Sequence, residues 1–251
     1  MIRCIEEYST NAWPALQTLL QDGWVLRFAN GFTRRANSVY PLYPTTLPLD
    51  EKISACEALY HAQGLPTCFK MTPASQPAGL DAALLARGYL LEAPTSVQQL
   101  DLRALPVEAL ADVEVAPRPS AEWLLEFGRM SGSSEQRQAA HQQILASILY
   151  PCGYAALRCQ GQLAACGLAV LQDGCLGLFD IVTAPAYRRQ GYASQLVSAL
   201  LRWGKRQGAH TAYLQVMQDN APALNLYASL GFQEIYPYWY RVEPGPLPTL
   251  S

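Results

Sequence analysis

Chemistry is most legible between Asp180 and Ser194. A loop that grips a pyrophosphate needs outward-pointing backbone N–H groups, a residue with no side chain in the way, and a helix N-terminus behind it. The run Tyr187-Arg188-Arg189-Gln190-Gly191-Tyr192-Ala193-Ser194 offers all three: Gly191 permits close approach, Ala193 is small, and Leu196, Val197, Leu200 and Leu201 mark a helix expected from Ser194. Taken alone, Arg-x-x-Gly-x-Ala describes a solvated basic turn equally well. Just upstream, Asp180 interrupts the apolar run from Leu176 to Val182. A carboxylate inside a strand costs free energy unless it is paired or opens on a cleft, so Asp180 is either a cleft residue or a solvent-facing edge residue. His61, His141 and His210 lie scattered, with no spacing for a metal or a nucleophile dyad, and read as surface or structural residues.

These residues need elements to hold them. Tyr154 to Arg158, Gln162 to Gln172 and Cys175 to Thr183 read as an antiparallel meander. The glycine-bearing loop and its helix follow, stopped by Gly208, then an apolar strand at Thr211 to Met217. Asp219-Asn220 supplies cap-type side chains for a helix bearing Ala223, Leu226, Tyr227 and Leu230, and Ile235 to Val242 closes as a strand. Upstream, helices are expected over Pro119 to Met130 and Ser134 to Leu149, after a strand at about Asp112 to Val115. The order β-α-α-β-β-β-α-β-α-β is an α/β (α+β) layout, a mixed but largely antiparallel sheet flanked by helices.

The first half repeats part of this plan. An offset of 144 positions lays Pro41 on Pro185, Tyr43 on Tyr187, Ser54-Ala55 on Ser198-Ala199, Gln63-Gly64 on Gln207-Gly208 and Thr67 on Thr211. With one deletion, Leu85-Ala86-Arg87-Gly88-Tyr89 falls on Ala228-Ser229-Leu230-Gly231-Phe232. The chain therefore reads as a duplicated lobe, residues 1–104 and 105–251, with the break at Pro106.

Ile181 to Ser194 resembles motif A of the GCN5-related N-acetyltransferases (GNATs), and Asn220 to Phe232 resembles motif B of the same family, Asn-x-x-Ala-x-x-Leu-Tyr-x-x-x-Gly-Phe. The resemblance implies a GNAT fold over Asp112 to Pro244, in tandem with a degenerate copy. It further implies that Ile181, Val182 and Thr183 pair with the pantetheine arm of acetyl-CoA. Arg188, Arg189, Gln190, Gly191, Tyr192, Ala193 and Ser194 would cradle its phosphates, with Asn220 near the pantetheine or adenosine and Tyr227 near the sulfur. A phenol there can protonate the departing thiolate as general acid, although a tyrosine on an amphipathic helix also serves as a core aromatic. An attacking amine must lose a proton, and Asp180 is the candidate acceptor. The implied activity is direct acetyl transfer from acetyl-CoA to a primary amine. A non-catalytic acetyl-CoA sensor and a transferase of longer acyl groups are the alternatives.

In the first lobe, Tyr43-Pro44-Thr45-Thr46-Leu47-Pro48-Leu49-Asp50 matches the pyrophosphate loop but has two prolines and no glycine, and Leu84 stands where Tyr227 does. This lobe is expected to bind no cofactor. Its turns of Asn-Gly type, at Asp22-Gly23 and Asn30-Gly31, lie among Arg27, Arg34, Arg35 and Asn37, which read either as recognition residues for an acidic substrate or as hairpin braces.

The remaining composition sets limits. Half of the 251 residues are hydrophobic and 15% are charged, enough to bury two cores. With 18 basic against 20 acidic residues, no field draws in nucleic acid. Cys4, Cys56, Cys68, Cys152, Cys159, Cys166 and Cys175 form no CxxC or Cys/His pattern and read as free thiols, so no metal is expected. Without a signal peptide or a long apolar run, the expected partners are an amine, small or on a protein, and no membrane. The expected location is the cytoplasm. The oligomeric state is open, a homodimer included.

Overall fold

The computed structural model describes residues 1–104 and 113–245. The chain folds as two compact units, one of Met1–Thr95 together with the chain from Tyr236, the other of Ser96–Ile235. The expected division at residues 104 and 105 adjoins residues 105–112, which lie outside the described residues. The units divide instead between Thr95 and Ser96, and the chain re-enters the first unit at Tyr236. Both crossings fall inside continuous strands, where sequence punctuation gives no signal.

The first unit opens with α1 (Ile2–Ala12), followed by a hairpin of β1 (Gln17–Gln21) and β2 (Trp24–Phe28). Asp22 and Gly23 join the hairpin strands with φ of 45° and 81°, as a two-residue turn between right-twisted strands demands. Then come β3 (Val39–Tyr40), α2 (Leu49–Ala62), β4 (Cys68–Met71), α3 (Leu80–Ala86) and β5 (Leu90–Asp101). β2 pairs antiparallel with β3, and β3 parallel with β4. Trp24, Leu26, Ile53, Tyr60, Phe69 and Leu84 form its core, all fully buried.

The second unit continues with β6 (Val113–Ala116), α4 (Ala121–Ser131), α5 (Glu135–Ala146), β7 (Cys152–Cys159), β8 (Gln162–Gln172), β9 (Cys175–Thr183), α6 (Tyr192–Arg206), β10 (Thr211–Met217) and α7 (Ala221–Ser229), and β11 (Gln233–Val242) passes from it into the first unit at Tyr236. Three helix starts are fixed by side chains that accept from the first turn: Ser120 from Trp123 N–H, Ser134 from Arg137 N–H and Asn220 from Ala223 N–H. β6 through β9 form an antiparallel meander, and β10 joins β9 in parallel. Leu157, Leu176, Leu196, Leu200, Leu214 and Val216 are core residues here. From β11, Trp239–Val242 pairs antiparallel with Met71–Cys68 of β4, within the first unit.

The duplication is visible in the elements. The 144-residue offset carries Leu49–Ala62 (α2) onto 193–206, which is α6 almost end to end, and after the single deletion Leu80–Ala86 (α3) falls on 223–229, within α7.

Candidate active site

The site is built on an irregularity in β9. Its ladder with β8 runs from Cys175 opposite Gln172 to Phe179 opposite Leu168, and resumes with Val182 opposite Cys166. Between those points β9 holds Asp180 and Ile181 where β8 holds only Gly167, which makes a bulge. Asp180 takes φ of 53°, a conformation that costs a non-glycine residue roughly 1–2 kcal/mol. The bulge re-aims two side chains. Ile181 turns toward α6: a Cβ added to Gly167 would lie 2.5 Å from Ile181 Cδ1 and 3.1 Å from Leu196 Cδ2, so this position has no room for a side chain.

Asp180 meets α5. Its Oδ2 lies 2.7 Å from His141 Nε2, and the two side chains are only 7% and 4% exposed. A carboxylate offers only acceptors, so Nε2 is the protonated nitrogen facing it. The imidazole stacks on Phe127, ring centroids 4.5 Å apart, and Phe127 stacks in turn on Trp123. Trp123 Nε1 donates to Ala155 O at 2.9 Å, which ties this aromatic group to β7. Of the two readings of His141, surface or structural, the surface one is excluded: it is the buried partner of Asp180. One faint sign is visible in the helical spacing, since His141 lies on the face of α5 shared with Ala140, Ile144 and Leu145.

Three residues before Asp180, β9 has already left β10. Their parallel pairing runs only from Thr211 opposite Cys175 to Tyr213 opposite Gly177. Cys175–Phe179 are buried, whereas Asp180, Ile181, Val182 and Thr183 are only partly so. The loop then turns at Arg188, whose Nε donates to Thr183 O at 3.2 Å. Arg189 and Gly191 sit in the left-handed region, φ 60° and 84°, and Gln190 Nε2 donates to Ala186 O. Gly191 caps α6, which begins at Tyr192 rather than at Ser194. The first backbone bond of that helix runs from Gln195 N–H to Gly191 O, so the N–H groups of Tyr192, Ala193 and Ser194 have no intrahelical acceptor. This end of α6 is equipped to receive an anion.

Tyr227 is 8% exposed and belongs to the core group that includes Leu214 and Val216, the half of β10 beyond the split. Its hydroxyl makes no hydrogen bond among the described residues, and burial pushes its pKa up from 10.0 to about 12. Asn220 Oδ1 is engaged in capping α7.

The corresponding loop of the first unit is filled from within. Asp22 accepts from the hydroxyls of Thr45 and Thr46 and from the N–H groups of Thr46 and Leu47. The buried Lys52 completes the arrangement, donating to Asp22 and Thr45 while lying 4.1 Å from the centroid of the Trp24 ring. By the 144-residue offset, Thr46 and Leu47 stand where Gln190 and Gly191 do. An internal carboxylate therefore takes the N–H groups at the positions matching Gln190 and Gly191.

Two of the four recognition candidates are likewise engaged. Arg27, 1% exposed, donates to the carbonyls of Arg35, Thr10 and Trp13 and to Tyr40 Oη. Asn37 binds the backbone of Ala29, Gly31, Phe32 and Thr33. Both are braces of the segment between β2 and β3. Arg34 pairs with Glu92, and Arg35 lies over Trp13 at 4.9 Å.

A meander whose fourth strand bulges, parts from the fifth and feeds a glycine-capped helix defines a GNAT N-acetyltransferase fold. The chain matches, over residues 1–241, the family described as "Probable histone acetyltransferase Rv0428c C-terminal", and it belongs to that family. It is 31% identical over 249 residues to the "Uncharacterized N-acetyltransferase YobR" of Bacillus subtilis (strain 168), covering 96% of this chain and 98% of that one. Among solved structures, a GCN5-related N-acetyltransferase from Kribbella flavida superposes with a TM-score of 0.72 at 18% identity, covering 97% of this chain and 96% of the other. A tandem GNAT protein from the clavulanic acid biosynthesis pathway does so with a TM-score of 0.62 at 14% identity, covering 96% and 89%. The protein is a two-lobe acyltransferase of the GNAT superfamily. Among the described residues no group of His, Cys, Asp and Glu could hold a metal ion, and no helix is long and apolar enough to cross a membrane.

Proposed function

We propose that the second unit transfers an acetyl group from acetyl-CoA to a primary amine by direct attack. The observation that carries this reading is the bulge at Asp180 just past the point where β9 parts from β10, because it gathers a carboxylate, a strand segment unpaired to β10 and an anion-receptive helix end within residues 180–194. Ile181, Val182 and Thr183 hold the amide groups of the pantetheine arm. The N–H groups of Arg188 to Ser194 hold the pyrophosphate, with Arg188 and Arg189 adding charge, and Asn220 borders the same arm.

Asp180 takes the proton from the acceptor ammonium, the freed amine forms its bond to the acetyl carbon, the carbon–sulfur bond breaks to release the thiolate of coenzyme A, and the second proton lost by the nitrogen as the amide forms ends on that thiolate. Tyr227 donates its hydroxyl hydrogen toward the sulfur as charge develops there. The acceptor is an amine of a small molecule or of a protein, and the setting is the cytoplasm. The first unit binds no cofactor. Thiol release from acetyl-CoA, measured over a panel of small amines and amine-terminated peptides, tests this. Acetyl-CoA-dependent release that requires an amine supports it, and tight acetyl-CoA binding without turnover on any of them refutes it in favour of a sensor.

A further inference from the structure

Asp180 has two carboxylate oxygens and only one of them is occupied. Oδ2 is held by His141 Nε2 at 2.7 Å, while Oδ1 makes no hydrogen bond among the described residues. The holder is itself fixed: His141 is 3% exposed, its ring stacked on Phe127 and, through it, on Trp123, whose indole is bonded to β7. Cys166 of β8 and Tyr154 of β7, itself in edge contact with Trp123, lie close enough to feel the Asp180 charge, and the hydrogen bond that Oδ2 accepts comes from His141. A carboxylate on a strained bulge residue would otherwise be free to rotate.

We propose that His141 is a positioning residue for acyl transfer: it pins Oδ2 of Asp180 so that Oδ1 is presented to the incoming amine. The role rests on the acetyltransferase reading above, and it differs from that of a packing residue in one respect. What matters is the donor at Nε2, not the ring. His141→Phe keeps a ring against Phe127 and removes the donor. His141→Gln removes the ring and returns a donor near the Nε2 position.

The test compares both variants with wild type for kcat/KM toward the best amine and for acetyl-CoA affinity by calorimetry. Loss of a hydrogen bond to a charged group predicts a fall of about 10- to 10²-fold in kcat/KM for His141→Phe, with acetyl-CoA affinity within about twofold, and recovery by His141→Gln to within about threefold of wild type. Equal losses in the two variants, or no loss in His141→Phe, would overturn the assignment. A second measurement is independent of turnover: in wild-type protein the Nε2–H proton of His141 gives a slowly exchanging NMR resonance, absent from Asp180→Ala. If wild type transfers acetyl to no amine, the acetyltransferase reading falls, and that resonance alone decides whether His141 holds Asp180. Its absence from wild type would show that it does not.

Discussion

Replacing Tyr227 by Phe removes one hydroxyl that makes no hydrogen bond among the described residues and keeps the buried ring, so the change isolates chemistry from most of the packing. Burial raises the phenol to about 12, whereas an ordinary thiol ionises near 8.5. Full proton transfer from Tyr227 to a free thiolate is then uphill by about 3.5 pH units, or roughly 5 kcal/mol at about 1.36 kcal/mol per unit. That outweighs what a proton relay could return. A hydrogen bond donated to a charged group is worth about 1.5–3 kcal/mol, a factor of roughly 10 to 150. Donation without transfer is therefore the larger effect, and Tyr227→Phe should lower kcat by about that factor, not by 10⁴. Because the hydroxyl stays protonated until about pH 12, a fall in kcat at moderately alkaline pH belongs to another group. The assay is steady-state thiol release with saturating amine, beside calorimetric titration of acetyl-CoA, which should be unchanged. A change in kcat under about threefold would show that Tyr227 is a core aromatic only. A loss above about 10³ would show that the bound thioester resets the phenol and that complete transfer occurs.

Gly191→Val places a β-branched side chain at φ 84°, where space is open because the nearest atom to a Cβ is Gln195 Nε2 at 3.8 Å. The fold should lose only the strain of roughly 1–2 kcal/mol, seen as a small drop in Tm, while acetyl-CoA affinity falls at least about 30-fold, as loss of two phosphate hydrogen bonds requires. Equilibrium titration of wild type should count one acetyl-CoA per chain, and a second equivalent would contradict the filled loop at Asp22. The Asp22 carboxyl is held well below the usual range, first by the Thr45 hydroxyl and then by Leu47 N–H. Its folded pKa is depressed, so its contribution to stability is present above the ordinary carboxyl value of 3.8 and fades as pH falls below it. Asp22→Asn should thus be less stable than wild type at pH 7, the gap closing in denaturant titrations below about pH 4. A gap that is constant with pH would mean that charge plays no part.

Much of the second unit was legible because its signals are local. Gln162–Gln172, Cys175–Thr183 and Thr211–Met217 end where turn glycines or caps end them, so composition alone bounds them. The start of α6 was misplaced by two residues, because Gly191 caps the helix through its left-handed backbone and not through a side chain. His141 was missed for a different reason. Its partner is 39 positions away and is reached only through the β9 bulge, and a bulge is an event of pairing between strands that no single segment announces. For Arg27 the structure favours the brace over the recognition residue: its guanidinium is taken up by backbone carbonyls at the C-terminal end of α1 and in the 34–36 turn, beside Tyr40 Oη, and a set of carbonyls scattered along the chain leaves no sequence pattern.

The two loops related by the 144-residue offset show one physical demand met in two ways. Each precedes a helix whose first N–H groups lack intrahelical acceptors. In the second unit the loop supplies an αL glycine and no acidic residue between Tyr187 and Arg206, so no side chain caps the first N–H groups of α6, as the proposed phosphate site requires. In the first unit Pro44 and Pro48 remove donors, and Asp22 on the β1–β2 turn saturates those of Thr46 and Leu47, with Lys52 beneath. Gly23 allows that turn to press against the loop, since a Cβ there would lie 2.2 Å from Pro44 O. Gly23→Ala must therefore displace backbone as well as bear φ of 81°, and should destabilise the protein by more than about 2 kcal/mol in denaturant unfolding. A loss under about 0.5 kcal/mol would mean that the turn and the loop move apart freely.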